Sequence, residues 1–245
     1  MCGGGWGLKQ RGKLGRWIGG LFLPVVALAF GLGALIYHPQ TPLPPEWNPT
    51  TPFDPKAPLT RITGWKLLRT LADPTACVAA LNRISSPTSL LPDRETDDLC
   101  HIRNRVKIST VSQASLAQVE TRCGIALRLA LWEYHGLQPA AQAHLGSSIR
   151  RIHHFGSYSC RPIAGSSRMS QHATANALDI SGFDLADGQK IRLRSDWDGS
   201  EAEQAFLRAA RDSACDWFRM VLSPDYNAAH HDHFHVDQGL WMGCR

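Results

Sequence analysis

Two stretches of the 245-residue chain concentrate side chains that bind metals and move protons: SQHATANALDI, Ser170 to Ile180, and HHDHFHVD, His230 to Asp237. Four of the eleven histidines fall within the six positions from His230 to His235. If each stretch holds a strand, alternation sends Leu178 and Ile180 to the core and Asp179 to the opposite face. By the same rule Phe234 and Val236 go inward, while His233, His235 and Asp237 share the other face. His172, on the loop feeding the first strand, joins Asp179 and His235 as a third candidate metal ligand. Two imidazoles and a carboxylate suit zinc in a catalytic arrangement, because three protein ligands leave the fourth tetrahedral position to a water that the ion acidifies. His233, two residues from His235 on the same face, is placed to move that proton or steady an oxyanion. Each residue alone has an ordinary reading as a capping histidine, an arginine-paired aspartate or an adventitious cluster. The agreement of both strand alternations argues for a site. His230 and His231 read as the loop entering the second strand, and the other histidines as structural.

The elements that must position these residues are short. Asp73-Pro74 offers an N-cap and a first-turn proline, and Cys77, Ala80, Leu81 and Ile84 come next at helical spacing. Glu120 to Tyr134 reads as a deeply buried helix. Ser200 and Glu203 form a capping box for a helix reaching about Met220, which Pro224 stops. Strands are expected at Arg105 to Ser109, Ile149 to Phe155, Ala177 to Ile180, Lys190 to Leu193 and His233 to Asp237, with Asp187-Gly188 as a hairpin turn. Helices and strands do not alternate regularly. The expected fold is therefore α+β: a small antiparallel sheet carrying the metal site, packed with several helices over residues 61–245.

The N-terminal quarter differs. Residues 17–37, WIGGLFLPVVALAFGLGALIY, carry no charge and as a helix would span about 31 Å, close to the hydrocarbon thickness of a bilayer. Lys9, Arg11, Lys13 and Arg16 all precede this run, so the positive-inside rule predicts a cytoplasmic N-terminus over 1–16, a single inner-membrane pass over 17–37 and export of the rest of the chain. Those four cations account for most of the net charge of +5, since without them the 26 basic residues fall to 22 against 21 acidic. A nucleic-acid-binding stripe is not expected. Eight prolines between Pro39 and Pro58 predict a spacer over 38–60. Extended as polyproline II it would reach about 60 Å. Beyond it lie six cysteines, none in a CxxC clasp, which suits disulfides in an oxidising compartment such as the periplasm. Of the possible pairings Cys215 with Cys244 is preferred, tying the last helix to the C-terminus.

Residues from about Trp65 to Arg245 resemble the extensin-like C-terminal domain family of bacteria, through GSYSCR (Gly156 to Arg161), SQHATANALDI, FDLADG (Phe183 to Gly188) and PDYNAAHHDHFH (Pro224 to His235). More distantly, the two clusters are similar to the SxHxxGxAxD and HxH motifs of the zinc metallopeptidases that include D-Ala-D-Ala carboxypeptidases, murein endopeptidases and the hedgehog signalling domain. That resemblance implies zinc on His172, Asp179 and His235, with His233 catalytic. It also implies substrate binding at Tyr158 and Ser170, and Arg161 polarising the scissile carbonyl. Two departures stand out. Ala175 replaces the motif glycine, which puts the turn before the strand in question, since only glycine freely accepts positive φ. Asp232 stands where carboxypeptidase members carry a glutamate; it is a reserve general base, and alternation would turn it away from the face of His233 and His235. The expected function is a membrane-anchored, periplasmic zinc peptidase cutting peptidoglycan peptides. The alternatives are a non-catalytic wall-binding or scaffolding domain that retains the site, and a purely disulfide-stapled structural domain.

Overall fold

A computed structural model describes residues 12–38 and 40–245, with side chains from Phe22 onward. The chain divides into two units, residues 1–52 with 59–63 and residues 53–58 with 64–245.

In the first unit α1 (Gly12–Tyr37) runs through Pro24. The expected cytoplasmic N-terminus falls largely on residues 1–11, outside the described ones, as do the side chains of the first part of the 17–37 run. Among the described residues no helix is long and apolar enough to cross a membrane. The proline-rich stretch forms no helix or strand, as its composition dictates. It is turned rather than extended, however. The Trp47 amide donates to Pro44 O at 2.9 Å, Asn48 Nδ2 to Ile36 O at 3.1 Å, and Thr60 Oγ1 to Glu46 O at 3.2 Å. Side-chain and turn hydrogen bonds between the prolines thus overrule the polyproline preference.

The second unit begins with Phe53, whose side chain is buried in the core, so the last part of the expected spacer packs with the folded domain. Its elements in chain order are α2 (Thr63–Leu71), α3 (Pro74–Ile84), β1 (Arg94–Asp97), β2 (Cys100–Ile102), β3 (Arg105–Val111), β4 (Ala114–Arg122) and α4 (Cys123–Trp132). After a π-helical turn (Glu133–Leu137) come α5 (Gln138–Leu145), β5 (Ile149–Gly156), β6 (Ala177–Leu185), β7 (Lys190–Arg192), α6 (Leu193–Asp196) and α7 (Glu201–Ala214). The chain closes with β8 (Met220–Leu222), β9 (Phe234–Asp237) and β10 (Gly243–Cys244).

The fold is α+β, but its sheet is neither small nor wholly antiparallel. Eight strands run β10-β8-β9-β6-β5-β4-β3, with β7 also on β6, while β1 and β2 form a separate two-stranded sheet. β4 pairs with β5 and β10 with β8 in parallel. A parallel pair needs a long crossover, and α4 to α5 supply it between β4 and β5. The expected helix at Glu120 therefore begins later, because residues up to Arg122 complete β4. α7 starts at the predicted capping box but ends at Ala214 rather than near Met220, since Met220–Leu222 is needed as a strand beside β9. The Asp187-Gly188 hairpin forms as expected, with Gly188 at φ 94°.

The core lies where α4 meets α7 and the sheet. Trp132 is fully buried, its Nε1–H donating to Ala210 O at 3.1 Å and its ring meeting Phe218 and Phe234 edge-on. Leu178, Ile180, Phe234 and Val236 are also fully buried, so the alternation that places Asp179 and His235 outward is anchored by the core. Three disulfides close the unit: the preferred Cys215–Cys244, with Cys77–Cys123 and Cys100–Cys160.

Candidate metal centre

β6 and β9 pair antiparallel with Asp179 directly opposite His235. Opposed residues on one face stand close enough for their side chains to meet, and His235 Nδ1 lies 2.9 Å from Asp179 Oδ1. His172 arrives from the other side on a 3-10 turn (Gln171–Thr174). Ser170 caps this turn, its hydroxyl accepting from the His172 amide at 3.3 Å. The turn ends at Ala175, which adopts the left-handed conformation, φ 49°, and is fully buried. The alanine thus occupies the geometry for which glycine is the easier residue, and the turn into β6 keeps its shape despite the substitution. Such a conformation costs an L-residue about 1–2 kcal/mol.

His172 Nε2 stands 3.1 Å from Asp179 Oδ1 and 3.2 Å from His235 Nδ1, closing a triangle of three candidate ligand atoms. Ligand atoms bound at ~2.0–2.1 Å in a tetrahedral zinc set stand roughly 3.3 Å apart, so the triangle has the right size. The tautomers also fit. His172 Nδ1 faces Ser157 O at 2.9 Å, and a carbonyl only accepts, so Nδ1 carries the proton and Nε2 offers its lone pair. His235 Nε2 donates to Asp237 Oδ2 at 3.0 Å, which leaves Nδ1 for the triangle. Each imidazole is thus oriented by an oxygen behind it, the usual support of a metal-bound histidine. Two nitrogen lone pairs and a carboxylate converge with their side chains 4%, 13% and 13% exposed. Without a cation they require a proton. Burial opposes charge on His235, but the bonds to Asp179 and Asp237 prevail and raise it to about 9. Burial likewise works against an ionised Asp179; the neighbouring imidazoles, when protonated, outweigh it and hold the carboxyl well below the usual range.

His233 and Asp232 precede β9 instead of belonging to it. Strand alternation therefore does not govern Asp232, which turns toward His233 with Oδ1 2.9 Å from Nδ1. This corrects the expectation that it points away. His233 Nε2 is 3.7 Å from Asp179 Oδ1, so the ring bridges Asp232 and the ligand triangle. Asp232 lies below the ordinary carboxylate range: burial would raise it, but the His233 bond and the charges of His231 and His233 lower it.

The remaining predicted residues are not among the three converging ligands. Ser170 is buried and occupied as the cap. The Tyr158 hydroxyl is 2.9 Å from Thr96 Oγ1 on β1, with Arg94 over its ring. Arg161 is exposed, its carbonyl accepting from the Ser170 amide at 3.1 Å, and among the described residues nothing hydrogen-bonds or ion-pairs with its guanidinium.

Three participants are not legible as such in the sequence. Ser157 orients His172; its own hydroxyl is 2.7 Å from both Thr121 Oγ1 and Ala177 O. Asp237 orients His235, and its place two residues along the same strand face is the available signal. His230, which reads as a loop residue, has its ring 5.2 Å from that of His233 and 6.0 Å from that of His235. Burial first, then the charges of those neighbours, push it down to about 4. The other grouping of possible ligands, Asp97 with Cys100 and Cys160, is no thiolate site because the cysteines are joined.

The class so defined is an α+β domain with a mixed sheet and a His-Asp-His cluster at the junction of two antiparallel strands and a capped turn. The chain belongs to the family described as extensin-like protein C-terminus, which it matches over residues 75–245. No significantly similar curated protein and no significantly similar solved structure is found.

Proposed function

We propose that this chain is a zinc hydrolase of peptide bonds in peptidoglycan, held at the inner membrane by residues 17–37 with its folded domain in the periplasm. The convergence of three ligand atoms of fixed tautomer on one point carries the reading. The similarity of the two motifs to zinc peptidases supports the reaction, and three disulfides support the oxidising compartment.

His172, Asp179 and His235 hold the metal, and Ser157 and Asp237 fix the two imidazoles. Zinc bound there supplies a Lewis acid and an acidified water near neutral pH. His233 handles the proton: Asp232 accepts from Nδ1–H, which leaves Nε2 on the cluster side to take a proton and return it to the leaving amine. Asp232 is thus a positioning residue acting through His233. Arg161, with an unengaged guanidinium, meets the carbonyl oxygen as negative charge develops.

The test is digestion of purified peptidoglycan by the zinc-loaded full chain, with products read by mass spectrometry. New peptide fragments are expected, and a His233→Ala variant that keeps its zinc should release almost none. No fragments from a stoichiometrically loaded protein would overturn hydrolysis. Muropeptide binding under those same conditions would leave a wall-binding domain.

A further inference from the structure

Behind the turn that carries His172 lies a cavity of about 200 Å³ that shares no residue with the metal centre. It is lined by Arg122, Arg128, Asn104, Asn176, Gln238 and the aliphatic Leu71 among others. Both arginines are part-buried, and neither forms an ion pair among the described residues. Arg122 Nε donates to Thr174 O at 2.6 Å and its Nη2 stands 3.5 Å from His101 Nε2, while Arg128 Nη1 donates to Trp217 O at 2.7 Å. Several other arginines of the chain do pair with acids, as with Arg208 and Arg211 on Asp225 or Arg192 on Asp184. Burial and then Arg103 lower Arg122, with Asp93 the smaller opposing influence, and burial and then Arg219 bring Arg128 down to about 10. A cation withdrawn from water is costly unless an anion accompanies it. Two part-buried cations on one cavity therefore favour an anion there.

We propose that this cavity is a binding site for a small ligand bearing a free carboxylate, such as an N-acylated amino acid or the C-terminal residue of a peptide. A guanidinium offers paired donors that match a carboxylate. Arg122 keeps Nη1 and Arg128 keeps Nε and Nη2 beyond the bonds just named. Asn104, and the amide oxygens of Asn176 and Gln238, whose nitrogens donate to Gln171 Oε1 and Trp217 O, supply partners for the ligand's own amide, and Leu71 an apolar wall for a small side chain. That mixture favours an amino-acid carboxylate over a bare phosphate, which would use the cations and leave the rest of the lining unmatched.

The site is tested by calorimetric titration of the full chain with N-acetylalanine, N-acetylalaninamide and inorganic phosphate. Saturable binding of the acid at one site is expected, with the amide at least tenfold weaker and phosphate weaker than the acid. Arg128→Gln should weaken the acid at least tenfold. Because Arg128 also holds Trp217 O, a second variant keeps both arginines. Gly124 lines the cavity, and a Cβ there meets only Leu71 at 3.5 Å, so Gly124→Leu should fill the space and abolish binding. His172→Ala should leave binding unchanged. Equal affinity for acid and amide, no saturable binding, or binding retained in Gly124→Leu would overturn the site. Loss in His172→Ala would place the carboxylate on the metal centre instead, and tighter binding of phosphate would overturn the carboxylate assignment.

Discussion

The ligand triangle and the segment beside it, residues 158–169, are built to opposite rules. Every triangle residue is constrained twice: His172 by its Ser170-capped turn and Ser157 O, His235 by its strand and Asp237, and Asp179 by its strand and both imidazoles. The flanking segment is exposed from Cys160 through Arg168, and is held by the Cys100–Cys160 disulfide and a short bridge between Pro162 and Met169. The converging groups sit on paired strands and a capped turn, and Arg161, proposed to meet a partner from solution, sits on a loop.

The contrast breaks hardest if a ligand is removed. His172→Ala and His235→Ala should each reduce zinc from about one ion per chain to nearly none by elemental analysis, since a three-ligand site does not survive as two. Asp237→Asn sharpens it, because the carboxylate behind His235 should be worth about 10–100-fold in zinc affinity, read by competition with a chelator.

Acidity probes the same region. The folded-state value of about 9 for His235 lies above the unfolded value of ~6.5. In metal-free protein its contribution to stability is therefore full below about pH 6.5 and lost as pH rises through 9. Denaturant midpoints of the metal-free chain should fall across that window. Zinc loading at pH 7 should release about one proton, seen as a dependence of the titration heat on buffer ionisation enthalpy.

The smallest structural effect is expected in the flank. Arg161→Ala should keep its zinc and change stability by less than about 0.5 kcal/mol in denaturant titration. It should nonetheless lower hydrolysis about 100-fold. If it loses zinc as well, the two regions are not independent.

Period-2 alternation makes Asp179 and His235 legible, because both strands have one fully buried face and a slip of one residue would bury them instead, while His172 is read from its place on the loop feeding β6. The supporting shell is less legible. Ser157 reaches His172 through a backbone carbonyl, so its side-chain type carries no signal of the role. Asp232 departs from its expected direction because alternation does not extend past the first residue of β9. β4 is hidden because its pairing with β3 is broken by an irregularity between Ile108 and Thr110, and its last residues run without a break into the apolar sequence of α4. The parallel pairing of β4 with β5 depends on the crossover between them, a long-range outcome that no local pattern encodes.

The Cys215–Cys244 bond has a consequence for covalent topology. It encloses β8, β9 and the exposed stretch Asp225 to Ala229, so His233 and His235 lie inside a closed loop while His172 and Asp179 lie outside it. A protease cutting within Asp225 to Ala229 would divide the ligand set in sequence yet leave one covalent molecule. Such a nicked protein should migrate as a single band without reductant and as two with it, with β9 still hydrogen-bonded to β6.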